Sequence, residues 1–319
     1  DPGEPDIQAL ARLWAREVDP DRAARRLADR DTRVLTATAP GYPIDEGIED
    51  RPAALFIEGN RPDALERPRV SVVGTRAATP HGLADAHALG AVLARAGVVV
   101  VSGLAIGIDA AVHQGALDAG GVVIGVIATG LDVVYPRRHQ LLYERVRRSG
   151  LLVTEHAFGV EPRPQQFPVR NRIIAALGDC CVVVEATAAG GAMITARHAL
   201  EYGRAVLAMP GSRRNPSARG TNALIGEGAH PLIDPEDVLV ALGLSPGERR
   251  HPESGGTSGG SPGTTPEERS VHRHLSGEPA TADELVARTA LTPGAVAVAV
   301  AGLVRAGHAT RAHGLVWPA

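Results

Sequence analysis

Three segments of the chain share one layout: an apolar run, a turn containing glycine, and then a helix-forming stretch. They are Val72-Val-Gly-Thr-Arg76, Val101-Ser-Gly-Leu-Ala-Ile-Gly-Ile-Asp109 and Val184-Glu-Ala-Thr-Ala-Ala-Gly-Gly-Ala-Met-Ile-Thr195. Glycine lets the backbone come close to a ligand, and free N–H groups at the helix start that follows favour an anion. Gly74, Ser102, Gly103, Gly191 and Thr195 stand at these turns, and Arg76 could grip a phosphate through two parallel N–H bonds. None of the three reads G-x-G-x-x-G, so no dinucleotide cofactor is expected. A fourth segment, Phe167-Pro-Val-Arg-Asn-Arg172, puts Arg170, Asn171 and Arg172 just after a proline, at the head of an apolar stretch. Two guanidinium groups and an amide at a helix start make a candidate clamp for phosphate and sugar. The plainer alternatives are a structural βα turn with an exposed arginine and a solvated basic turn.

Ser102, Asp109 and His113 have the residue types of a nucleophilic triad. Ser102 precedes its glycine, however, and does not sit at the centre of a G-x-S-x-G elbow. Asp109 and His113 are four apart on a helix, so the stronger reading is that they brace the loop. No catalytic residue and no metal ligand is assigned.

The elements that must position these residues follow from periodicity. Short, nearly continuous apolar runs at Val70–Val73, Val98–Val101, Val122–Ala128, Leu151–Thr154, Cys181–Glu185 and Ala205–Met209 read as strands buried on both faces. Ala-rich stretches between them, such as Gly82–Ala96, Asp109–Ala119 and Ile194–Tyr202, are long enough for crossover helices. The expected fold is α/β, a doubly wound and mostly parallel sheet. Three glycine loops at strand C-termini should then converge on one crevice, the usual ligand position in such sheets.

The expected organisation has four parts. Residues 1–31 form a short helical N-terminal segment and residues 32–244 the α/β domain. Residues 245–267, rich in Gly, Ser, Pro and Thr, form a flexible linker. Residues 268–319 read as helix (Thr281–Thr289), turn, helix (Leu291–Arg305) and hairpin (Gly307–Trp317), which suggests a small C-terminal winged-helix domain.

All 33 basic residues are arginine, and the formal charge is −3, so the chain as a whole does not look like a nucleic-acid binder. The distribution says more: residues 1–69 hold 11 Arg and 15 acids, residues 130–220 hold 13 Arg and 7 acids. Cys180 and Cys181 are adjacent in an apolar run and point to opposite faces, which argues for buried reduced thiols. The opening DPGEPDIQAL has no basic region followed by an apolar core, and no apolar run reaches membrane-spanning length. A cytoplasmic protein is expected.

The segments VGTR, SGLAIGIDAAVH, GLDVVYP, FPVRNRIIAAL, VVEATAAGGAMITARHALEYGR, AMPG and GTNALIGEGA resemble, in order and spacing, the DNA-processing protein A family, also called Smf. The resemblance covers roughly residues 32–240, and the tail is similar to the family's winged-helix module. VGTR stands where the family usually has a serine, and AGGAMITA where it usually has SGSLITA. The resemblance implies an extended Rossmann-like domain with a pocket for single-stranded DNA, homodimerisation, and loading of the RecA recombinase in natural transformation or recombination. It implies no cofactor and no enzymatic step. Carried over position by position, the pocket would use Gly74, Arg76, Ser102, Gly103, Arg170, Asn171, Arg172, Gly191 and Thr195. Two other readings remain. One is a nucleotide phosphoribohydrolase, against which His198 stands where a catalytic glutamate would be needed. The other is a duplex-DNA module led by the tail, whose second helix offers no side chains for base readout.

Overall fold

The apolar runs become the strands of one sheet. The structure, a computed structural model, describes residues 20–244, 265–275, 280–289, 291–305, 309–312 and 315–318. The chain divides into two units, up to Arg249 and from Arg250 onward. The flexible-linker reading falls almost wholly outside the described residues, as does the start of the N-terminal helical one.

The larger unit begins with α1 (Pro20–Asp29), β1 (Arg33–Thr36) and β2 (Ala54–Glu58). It continues through β3 (Arg69–Val73), α2 (Pro80–Arg95), β4 (Val99–Ser102), α3 (Ile108–Asp118), β5 (Val123–Val126), α4 (Gln140–Ser149) and β6 (Gly150–Thr154). Then come α5 (Gln166–Leu177), β7 (Cys180–Val183), α6 (Gly191–Glu201), β8 (Ala205–Ala208), α7 (Arg219–Gly226), β9 (His230–Pro231) and α8 (Asp237–Ala241). The sheet order is β1-β2-β6-β5-β4-β3-β7-β8-β9. From β6 to β9 every pairing is parallel, and β2 joins β6 antiparallel with β1 outside it. β1 and β2 were not among the expected strands. β1 reads RVLT and is mostly exposed, so it lacks the continuous apolar run that marks a central strand.

Alternate side chains of each central strand enter different cores. Val70, Val72, Val100 and Val182 pack with Leu89, Leu93 and Val112 of α2 and α3. Val73, Val99, Val101 and Val183 pack with Ile173, Leu177, Ala196 and Ala199 of α5 and α6. Cys180 falls in the first core and Cys181 in the second, both free and buried, as the pleat requires. Burial pushes the Cys180 thiol up to about 12. From β3 the chain winds outward through β4, β5 and β6; it then crosses back to lay β7, β8 and β9 on the other side of β3. The order reverses between β3 and β7, and a ligand crevice is expected there.

Helices α2 and α3 touch through glycines. A Cβ on Gly115 would collide with the His87 carbonyl, and one on Gly90 with that of Val112. Backbone cannot yield as a flexible side chain can. Gly115→Ala should therefore destabilise the unit by about 2–3 kcal/mol despite its better helix propensity. Thermal unfolding checks this; a neutral or stabilised variant would mean the helices can move apart freely.

The smaller unit holds α9 (Pro266–Leu275), β10 (Ala280–Thr281), α10 (Ala282–Thr289), α11 (Pro293–Arg305), β11 (Ala309–Ala312) and β12 (Leu315–Pro318). The strands form an antiparallel sheet in the order β10-β12-β11 over a core of Val271, Leu275, Leu285, Val296, Val300 and Leu303. This is the winged helix, with the hairpin paired as Ala309–Ala312 on Leu315–Pro318. Helix α9 is additional to the sequence reading and begins inside the stretch assigned to the linker. Its start is fixed by a capping box in which Thr265 Oγ accepts from Glu268 N (3.2 Å) and Glu268 Oε2 accepts from Thr265 N (2.8 Å).

Candidate nucleic-acid interface

A cleft of about 510 Å³ opens at the C-terminal ends of β3, β4 and β7, where the strand order reverses. Gly74, Thr75 and Arg76 line it from the β3 loop, Ala105 and Asp109 from the β4 loop, and Thr187, Gly190, Gly191 and Thr195 from the β7 side. The first turns of α5 supply Phe167, Arg170 and Asn171, and Tyr135 comes from the loop after β5. A smaller pocket adjoins it, bounded by Arg76, Gly103, Tyr135, Arg138, Phe167 and Arg170.

The three glycine loops do converge, but they are not equivalent. At α2 the helix start is already occupied. Glu185 is buried and its carboxylate accepts from Thr79 N (2.9 Å) and Thr79 Oγ (2.7 Å), while Thr79 Oγ accepts from Gly82 N. The anion expected there is this side chain, and Gly82 is small because a Cβ would strike the carboxylate. At α3, Asp109 Oδ2 accepts from Gly103 N (3.1 Å) and Ala105 N (3.4 Å), which braces the loop internally. Helix α6 alone of the three has neither a side-chain cap nor a carboxylate set against its start, and its first two residues, Gly191 and Ala192, line the cleft ahead of Met193, whose N–H donates to Gly190 O. Gly191 is exposed with open space around its Cα, consistent with close approach by a ligand.

Two of the nine expected site residues stand elsewhere. Ser102 is fully buried and does not line the cleft. Arg172 points away from it and pairs with Glu155 at 2.6 Å and Asp50 at 4.0 Å. The reason is helical geometry. Residues two apart on a helix diverge by about 200°, so Arg170 and Arg172 cannot grip one ligand from the same face. Arg170, with Ile173, Ile174 and Leu177, lies on the buried stripe of α5.

Arg170 therefore plays a different part from an exposed phosphate clamp. It is 4% exposed, and its Nη1 donates to the carbonyls of Gly103 (2.9 Å) and Val126. Its Nε donates to Asn171 Oδ1 (3.3 Å), and Asn171 Nδ2 donates to Gly191 O (3.2 Å). One chain of hydrogen bonds thus ties the β4 loop, β5, α5 and the start of α6 together. Burial lowers the Arg170 pKa, and Asp109 partly offsets this. Gly74 is also structural, since a Cβ there would meet Ile108 Cγ1 at 2.5 Å.

The exposed cation lining the main cleft is Arg76; Arg138, also exposed, bounds only the smaller adjoining pocket. Its guanidinium lies 5.1 Å from the Phe167 ring centroid, and Phe167 leans on Tyr135 at 5.4 Å and 47°. Tyr135 is 42% exposed. Neither aromatic is among the expected site residues, although a chain with 3% aromatics that places two of them at a glycine-lined cleft offers a usable signal. Ser102, Asp109 and His113 do not assemble as a triad. His113 is buried with its ring nitrogens against the carbonyls of Asp109 (2.8 Å) and Ile124 (3.2 Å), and desolvation lowers its pKa. His198 pairs with Glu201 outside the cleft.

Residues 33–243 match the model of the family described as DNA recombination-mediator protein A. The chain belongs to that family. Residues 257–314 match the winged-helix domain of the same proteins. Protein Smf of Escherichia coli is 42% identical over 194 residues, 60% of this chain and 52% of that protein. The DNA processing protein DprA of Streptococcus pneumoniae is 42% identical over 200 residues, 62% of this chain and 70% of its own. The matched region thus spans little more than half of the Smf relatives from Synechocystis and Escherichia coli. The solved structure of the Streptococcus pneumoniae protein superposes with a TM-score of 0.65 at 38% identity, covering 70% of this chain and 78% of that one. That of Helicobacter pylori DNA processing protein A, described by its single-stranded DNA binding mode, gives 0.59 at 28% identity, covering 66% and 95%. Among the described residues no single helix is long and apolar enough to cross a membrane.

Proposed function

We propose that the chain binds single-stranded DNA in the cleft between the β3 and β7 loops, holding backbone phosphates and stacking bases without reading sequence. The observation that carries this is the exposed Arg76 lying on the Phe167 ring beside the open start of α6. Cation, amides and aromatic faces at one mouth are the parts a single strand needs; a duplex hides its base faces. The Helicobacter pylori relative, named for single-stranded DNA binding, supports the reading. The site residues are Gly74, Arg76, Gly103, Asn171, Gly191 and Thr195, with Phe167 and Tyr135 added and Arg170 as the internal strut.

The chain acts as a cytoplasmic homodimer that delivers the strand to the RecA recombinase and catalyses no step itself; these parts rest on the family resemblance. A dimer is also supported by Ile233, just after the two-residue edge strand β9, and Val240 on α8, 68% and 63% exposed. The winged helix is not a reader of duplex bases, because residues 293–304 of α11 contain no side chain that could hydrogen-bond or carry charge. Its role is accessory. A chain ending after residue 244 should fold and keep its affinity for single strands, since among the described residues neither core draws on later ones. Loss of binding in that truncation would place part of the site in the tail.

The direct test is competition between single- and double-stranded DNA of equal length, read by mobility shift. The single strand should win, with little dependence on base composition. Phe167→Ala should weaken it about tenfold, since stacking contributes about 1–3 kcal/mol per base, while Phe167→Tyr should retain most of it. Equal affinity for duplex would defeat the proposal.

A further inference from the structure

We propose that the strand held in the cleft runs on across the end of β8, where Arg213, Arg214 and Arg219 form a second phosphate-binding subsite. The inference rests on the single-strand reading of the cleft and extends it. The loop after β8, residues 209–218, carries Arg213 and Arg214, and Arg219 opens α7 at its end; all three are exposed. Among the described residues their guanidinium groups have no ion pair, side-chain hydrogen bond or aromatic partner. No acid occurs between Glu201 and Glu227 in the sequence, so nothing along this loop neutralises them. On the same unit Arg26, Arg30, Arg61, Arg145, Arg147, Arg172 and Arg204 meet carboxylates, whereas Arg95 and Arg138, among others, meet none among the described residues; what sets the three apart is that they share one acid-free stretch beside the cleft.

The loop is built, and it abuts the cleft. Asn222 clasps Gly211 from both sides, accepting from its N–H (3.1 Å) and donating to its carbonyl (2.9 Å). Asn215 Oδ1 accepts from Ser217 N (3.0 Å), and a short turn at Pro216–Ala218 leads straight into α7. Gly220 N donates to Ala186 O at 2.7 Å, and a Cβ on Gly220 would lie 2.8 Å from the carbonyls of both Ala186 and Thr187. Ala186 and Thr187 are themselves cleft-lining residues. β8 is the parallel neighbour of β7, so the arginine loop lies one strand, about 5 Å, further along the same C-terminal edge. A strand leaving the cleft on the β7 side meets these cations next. Because the loop backbone is fixed beforehand, only the arginine side chains need be ordered on meeting phosphates. With no aromatic in the loop, the subsite grips phosphate and stacks nothing.

The test uses the full chain and three proteins: parent, Arg76→Ala, and the triple variant Arg213→Ala/Arg214→Ala/Arg219→Ala. Each is titrated with oligothymidylates of about 6 and about 20 nucleotides at several salt concentrations. The triple variant should bind the short strand like the parent. It should bind the long strand on the order of tenfold more weakly, with a log–log salt slope lower by about 2. Arg76→Ala should weaken both lengths. If Arg76→Ala weakens binding but the triple variant titrates like the parent on the long strand, the subsite is overturned and the cleft reading stands; the cluster would then fit an acidic protein surface. A triple variant weakened equally on both lengths also overturns the separate subsite. If Arg76→Ala has no effect, the cleft reading itself fails, and the subsite with it. Unfolding temperatures of all three should agree within about a degree or two, because the altered side chains are exposed.

Discussion

Arg170→Ala is expected to unfold the larger unit roughly 10 °C below the parent chain. The side chain is buried, and its Nη1 serves the carbonyls of Gly103 and Val126 in the interior. Truncation strands both acceptors and leaves Asp109 without the cation that faces it. Breaking a buried charged partnership costs about 3 kcal/mol or more, and each kcal/mol moves Tm by about 2–4 °C in a unit of this size. Single-strand affinity should fall too, because the Arg170–Asn171–Gly191 chain no longer fixes the start of α6. Arg170→Lys should recover little stability, since an ammonium cannot reproduce the bonds of the planar fork. Thermal and denaturant unfolding read the first effect. A variant that melts within about a degree of the parent would show that the guanidinium does not brace the site.

Arg76→Ala should do the opposite: leave Tm unchanged and lower single-strand affinity about ten- to a hundredfold. Arg76 is exposed, so its loss strands no buried group. Its removal deletes one charge-assisted phosphate contact of about 1.5–3 kcal/mol and should lower the salt slope by roughly 0.7. Arg172→Ala is the matched comparison, an arginine on the same helix as Arg170 but on the face that turns away from the cleft. It should break the Glu155 pair while leaving affinity and slope near the parent values. Arg95→Ala, exposed at the far end of α2, should be silent in both readouts. If Arg172→Ala weakened binding as much as Arg76→Ala, the strand would have to reach the face of α5 that meets Glu155, and the cleft would be misplaced.

The sequence by itself determined the central sheet, its parallel character, the three glycine loops and the winged helix. These are legible because they are local. A strand buried on both faces needs a continuous apolar run, and a βα turn near a ligand needs glycine. Val70–Val73, Val98–Val101 and Cys181–Glu185 carried that signal plainly. The exposed edge strand β1 did not, because an edge strand need not be apolar, and β2, ALFIE, is buried only at alternate residues and so lacks the both-face burial of the central runs. What only the tertiary structure decided is which polar groups were already spent. Glu185 is distant from Thr79 in sequence yet fills the start of α2, and Asp109 fills the β4 loop, so one open helix start remains where the motifs suggested three. The division among the arginines was hidden for the same reason. The letters Arg-Asn-Arg do not say which face of α5 meets the core, so Arg170 became a strut, Arg172 an ion pair, and Arg76 the exposed cation. Hydrogen-bond partners across 67 or 106 residues of separation are set by packing of the whole sheet, and no local pattern records them.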